Sequence, residues 1–183
     1  DGVQKSPAGA GSSIALRLQH LLDLRPKRFP FLVADRELGT DAADVRLDRA
    51  LDILRQVENL QRTVNQETLG IAGAIHKRKW EVDSRKQHLE RALDYYLRGY
   101  SQGVTRDFGY TGINAAQVLD LLADQEALEA RRAGEENQSA IQRQQQAREI
   151  RETIVREVEP LADVAGNANF KNEFWFLATI AEA

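Results

Sequence analysis

The run Leu69-Gly70-Ile71-Ala72-Gly73-Ala74-Ile75-His76-Lys77 decides the fold, and two later runs answer it. They are Ala92-Leu93-Asp94-Tyr95-Tyr96-Leu97-Arg98-Gly99-Tyr100 and Tyr110-Thr111-Gly112-Ile113-Asn114-Ala115-Ala116. All three are rich in helix formers, and each sets small residues at one recurring position. Helices that cross at close range cannot fit large side chains at the contact. Leu69, Ala72, Gly73 and His76 fall on one side of the first helix. Ala92 and Gly99 bracket Tyr96 on the second, and Ala115-Ala116 lead into Leu119 on the third.

Working outward, apolar residues recur at helical spacing along most of the chain. Ile14, Leu18, Leu21 and Leu22 mark a helix over 13–24 that ends before Pro26. Residues 25–40 read as irregular, with a short apolar patch at Phe29, Phe31, Leu32 and Val33. Leu47, Ala50, Leu51, Leu54 and Val57 form one face of a helix over 41–60, with Thr40 or Asp41 as N-cap. Asn65 caps a helix over 66–79, and Trp80 to Asp83 read as a polar connection. Ser84 with Gln87 has the spacing of a capping box that opens the next helix. That helix carries Leu89, Leu93 and Leu97 and stops near Gly103. A helix over 112–130 breaks at Gly134. In a long helix over 138–163, Ala147, Ile150, Ile154, Val158 and Leu161 form a near-heptad seam. Its polar first half, Gln138 to Gln146, is expected to project into solvent, and Pro160 to bend or end it. A last helix runs from about Phe170 through Trp175 to Ala183 with its apolar face intact, so the native chain is expected to continue.

The bulk numbers narrow the function. The 183 residues are 42% hydrophobic and 29% charged, with a net charge of −3. This balance argues against broad binding to nucleic acid, which needs a basic face to displace counterions. No apolar run approaches the roughly 18 residues that suggest a membrane span. The chain has no cysteine, which removes disulfides, thiolate metal sites and cysteine nucleophiles. It also has no methionine, as expected of a processed fragment. Residues 1–12 read as a flexible lead and 13–183 as one helical domain. The Gly9-Ala10-Gly11-Ser12-Ser13 run lacks the Gly-Lys-Ser/Thr ending and the preceding strand of a phosphate loop.

The order of small residues resembles the tetratricopeptide repeat, in which helix A carries small residues where helix B crosses it and helix B brackets an aromatic. Leu69-x-x-Ala72-Gly73-x-x-His76 resembles helix A, with His76 where an aromatic is usual. Ala92-x-x-x-Tyr96-x-x-Gly99-Tyr100 resembles helix B, and Asn114-Ala115-Ala116-x-x-Leu119 a second helix A. Trp175-x-x-Ala178-Thr179-x-x-Glu182 is a third, and Ala50-x-x-x-Leu54-x-x-Val57 a second helix B. The resemblance implies an all-α fold of antiparallel hairpins stacked as a right-handed solenoid. Two departures stand out: the connection between the third and fourth helices reads as longer than the repeat's tight turn, and the 138–163 helix as too long and polar. The three opening runs, Tyr110 to Ala116 most specifically, also resemble the central regulatory region of the apoptosis signal-regulating kinases and its bacterial relatives. That region is also called the TRAF-binding domain. The likeness covers about 65–122 and, more loosely, Trp175 to Thr179. It implies a scaffold that holds signalling partners or transmits a sensor state. No kinase motif occurs here.

His20, His76 and His88 form no metal-binding spacing, and no Ser–His–Asp arrangement is evident. His76 reads as a substitute for a packing aromatic. Asp120, Asp124, Glu126 and Glu129 read as a solvated face. Lys77, Arg78, Lys79 and Arg98 make a candidate anion patch, extended by Arg85 and Lys86. Tyr110, Asn114 and Gln117 stand at i, i+4 and i+7, so they point one way. With Lys77 they make the candidate partner-binding groove, which helix A lines in repeats of this kind. The expected function is a non-enzymatic, cytoplasmic protein-interaction scaffold. It has no cofactor and takes a protein or peptide partner. A small-ligand sensor for a nucleotide-like anion is the alternative.

Overall fold

The computed structural model describes residues 39–134, 137–164 and 174–183. The expected helix over 13–24, the lead 1–12 and the Phe29 to Val33 patch lie outside the described residues. Among the described residues six α-helices follow in order: α1 (Gly39–Val57), α2 (Gln66–Asp83), α3 (Lys86–Tyr100), α4 (Tyr110–Ala133), α5 (Gln138–Val158) and α6 (Phe174–Glu182). A 3-10 turn, Glu159–Asp163, follows α5. No strand occurs among the described residues. α2 and α3 form one hairpin, and α4 and α5 the next. α1 packs on α2, α3 on α4, and α6 on both α5 and α4, while α2 also touches α4 directly. This is the contact pattern of stacked tetratricopeptide-like hairpins.

The ends of the helices follow from local chemistry. The Asn65 side chain accepts from the N–H groups of Glu67 and Thr68 at 3.0 and 3.3 Å and so opens α2. α2 then continues through Trp80 to Asp83, where a polar connection was expected. Ser84 is its C-cap in the left-handed region (φ 58), donating its N–H to the carbonyl of Trp80 at 2.7 Å. An N-cap that bonds through its side chain typically has an extended backbone, which Ser84 lacks. Arg85 takes the N-cap position of α3 without a side-chain bond, so the Ser84–Gln87 capping box does not form. The connection is two residues long, and the expected long loop becomes a tight turn. The Asp83 carboxylate holds it, accepting from Arg85 N at 2.9 Å and lying 3.1 Å from His88 Nε2.

α4 starts at Tyr110, two residues before the expected boundary. The Asp107 carboxylate accepts from Gly109 N at 3.2 Å, Thr111 N at 2.9 Å and Thr111 Oγ1 at 2.5 Å. Phe108 and Gly109 are both left-handed (φ 53 and 80), which folds the chain back sharply enough to place that carboxylate. Pro160 ends α5 by forcing the 3-10 turn. Most of the polar first half of α5 is exposed as expected, while Ala140 is buried and Arg143 reaches back to Glu126 on α4.

Two apolar clusters hold the stack together. Leu47, Leu51 and Leu54 of α1 meet Ala72 and Ile75 of α2. Leu89 and Tyr96 of α3, Leu119 and Leu122 of α4, and Ile150 and Ile154 of α5 form the larger one, which Phe176 of α6 joins. Close approach depends on missing side chains. A Cβ at Gly73 would lie 2.8 Å from the Tyr96 ring, and one at Gly99 2.6 Å from Thr111 Cγ2. Ala72, Ala92, Ala115 and Ala116 are fully buried, as crossings between large side chains could not allow.

Candidate functional site

Ile71, Ala74 and Arg78 lie on one stripe of α2, at i, i+3 and i+7. Ile71 also packs against the α1–α2 core from this side. Tyr110 approaches the stripe from the start of α4, and Arg106 and Phe108 from the preceding loop, forming a cleft of about 780 Å³. Its floor is mainly apolar. Tyr110 is 43% exposed, yet its ring also packs at α2, where a Cβ on Gly70 would lie 2.7 Å from it. It therefore both closes the α2–α4 contact and walls the groove. Gln66 fixes the far end, donating from Nε2 to the carbonyls of Gly99 and Gly103 at 2.9 and 3.0 Å. The half-buried carboxyl of Asp107 edges the same cleft. Burial pushes its pKa above the usual carboxylate range, against the opposing hydrogen bonds from Thr111 and Gly109.

The structure brings together only part of the expected groove set. Tyr110 lines the cleft. The Asn114 amide donates back to the Tyr110 carbonyl at 2.9 Å, bracing the first turn of α4. The Lys77 ammonium donates to the Gln117 side chain, linking α2 to α4 beside the groove. Ile71, Ala74, Arg106 and Phe108 belong to the cleft and were missed by sequence reasoning. The i, i+3, i+7 stripe on α2 was a readable signal. The approach of Arg106 and Phe108 was not, since it depends on the loop conformation.

The four expected anion-binding cations do not converge. Lys79 is 6% exposed and pairs with Asp44 and Asp48 of α1 at 2.5 and 2.8 Å. Burial lowers its pKa, but the hydrogen bonds to the two aspartates outweigh that and leave it raised. Arg98 donates to the carbonyls of Leu60 and Thr63 at 2.9 and 3.1 Å, tying the α1–α2 loop to α3. Arg78 pairs with Glu81 at 2.5 Å and is the one of the four that lines the groove. Residues adjacent in sequence on a helix point to different sides, and here they serve three different contacts.

Among the four carboxylates expected on a solvated face, Glu126 departs furthest. It is 6% exposed and lies 3.0 Å from both Lys86 of α3 and Arg143 of α5, with Ser139 donating at 2.8 Å. Burial opposes its charge, but the hydrogen bonds from Arg143, Ser139 and Lys86 pull its pKa down to about 2. Asp120 is also engaged, by Arg151 of α5 at 2.5 Å.

Stacked hairpins with small-residue crossings and a groove on the first helix of a pair define a helical repeat protein of the tetratricopeptide type. The family model Tetratricopeptide Repeats-Sensor (TPR-S) matches residues 18–122, more than half of the chain, and the chain belongs to that family. Comparisons with curated proteins and with solved structures found no match. No helix among the described residues is long and apolar enough to cross a membrane.

Proposed function

We propose that the chain is a non-enzymatic interaction scaffold of the cytoplasm, within a larger signalling or stress-response protein, and that the α2–α4 groove holds a segment of a protein partner. The observation that carries this reading is the groove itself. Ile71, Ala74, Phe108 and Tyr110 offer an apolar floor, and Arg78 and Arg106 add positive charge to the lining. Such a surface suits a short peptide that buries apolar side chains and places a carboxylate at either end. The likeness to the TRAF-binding region of the apoptosis signal-regulating kinases supports a signalling role.

A peptide-library selection tests it. Enriched sequences should bind the wild-type protein and lose at least about tenfold in affinity against Ala74→Arg, which fills the groove, since several contacts would be lost at once. Ala74 is only half buried, so the variant should melt with the parent. Enriched peptides that bind Ala74→Arg unchanged would count against the groove.

The word sensor in the family description favours a second reading, a small anionic ligand in the same groove between Arg78 and Arg106. Nucleotides at about 100 times their Kd would then stabilise the fold by about 2.7 kcal/mol. An unchanged melting temperature across a nucleotide panel would remove this alternative.

A further inference from the structure

His76 lies on the side of α2 turned away from the groove. Five residues separate it from Ile71, which carries it roughly 140° around the helix. There it lines a second cleft, of about 650 Å³, between the C-terminal half of α1 and α3. The imidazole is 2% exposed, and its Nδ1 has no hydrogen-bond partner.

The faces of the ring are already used. His88 and Tyr95 stand seven residues apart on α3, about 10 Å along its axis. The His76 ring stacks with His88 at 5.9 Å and with Tyr95 at 5.6 Å, so it sits between them. The Arg98 guanidinium lies 5.7 Å over the Tyr95 ring. A ligand in this cleft is therefore held by charge rather than by stacking on the His76 ring.

Charge is available. Arg55 of α1 and Arg91 of α3 line this cleft. Among the described residues no carboxylate forms an ion pair with Arg91, whereas Arg98 engages Asp94 at 3.7 Å and Asp52 engages Arg55 at 3.0 Å. Glu90 is the remaining acidic group on the lining. Burial first, then the charges of Arg91, His88, Lys79 and Arg55, hold His76 at a pKa of about 4. The cleft floor is thus a neutral imidazole in a positive field.

We propose that the α1–α3 cleft binds a small molecule bearing a carboxylate or phosphate group, with Arg91 and Arg55 pairing the oxyanion above the buried His76 ring. The site is separate from the groove and does not depend on the reading given above for it. Titrations with inorganic phosphate and with acetate, at constant ionic strength set by chloride, test it and distinguish the two chemistries. The imidazole signals of His76 and His88 should shift saturably with at least one anion. Arg91→Gln should weaken that binding by roughly tenfold or more, the effect of losing a hydrogen bond to a charged group. Arg55→Gln tests the opposite rim, and Ala74→Arg in the groove should leave the titration unchanged. Shifts that grow without saturation, that follow chloride equally, or that persist in both arginine variants would overturn the proposal.

Discussion

Gly99 has no room for a methyl group. A Cβ there would meet Thr111 Cγ2 at 2.6 Å and Thr111 Cβ at 3.0 Å, across the contact that seats one hairpin on the next. Gly99→Ala should cost about 1–3 kcal/mol in urea unfolding, the usual range for overpacking. Adding Thr111→Ser, which removes Cγ2 and keeps the hydroxyl that bonds Asp107, should restore part of that loss. Equal stability of Gly99→Ala and wild type would show that the crossing is looser than described. His76 gives the residue scale a pH dependence. Its pKa falls from 6.5 unfolded to about 4 folded. The unfolded chain therefore takes up the proton first, and stability falls as pH drops from about 6.5 toward 4. The full effect is about 3 kcal/mol, from 1.36 kcal/mol per unit of pKa. His76→Phe keeps an aromatic in the stack and should flatten the stability profile over that window. A profile as steep as the parent's would place the titration elsewhere.

Between elements, ion pairs do what the apolar seams leave undone. Glu126 binds α4 to α3 through Lys86 and to α5 through Arg143. Glu126→Ala should destabilise by about 2–3 kcal/mol, below the range for a fully buried pair because Lys86 and Arg143 are partly solvated. Calorimetry at neutral pH would measure it, and a change under 0.5 kcal/mol would reduce Glu126 to an ordinary surface carboxylate. Glu126 illustrates what the sequence hides. Four acidic residues in one stretch of helix look alike, and which one is buried depends on where Lys86 and Arg143 arrive from elsewhere in the chain. The helices themselves were largely readable, since Leu89, Leu93 and Tyr96 or Ile150 and Ile154 declare their buried faces by spacing alone. Their ends were less so. Ser84 has the spacing of an N-cap, but its left-handed backbone closes the preceding helix instead, and no single residue type signals that choice.

The molecule as a whole carries two cores along the stack, one between α1 and α2 and a larger one spanning α3 to α6. In such arrays each unit is stabilised chiefly by its neighbours. Leu51→Ala, at 2% exposure in the smaller core, should cost about 3 kcal/mol. Hydrogen exchange should then speed most in α1 and the facing side of α2, with the α4–α5 hairpin protected as before. Uniform loss of protection would mean that the two cores unfold as one. The sequence alone determined the helical class, the pairing of small residues with crossings and the repeat family, because these depend on local periodicity and on side-chain size. Only the tertiary structure decided which cations line a cleft, which acid is buried and where the two clefts lie. Those outcomes depend on groups tens of residues apart meeting at a given angle, which spacing along one helix does not encode.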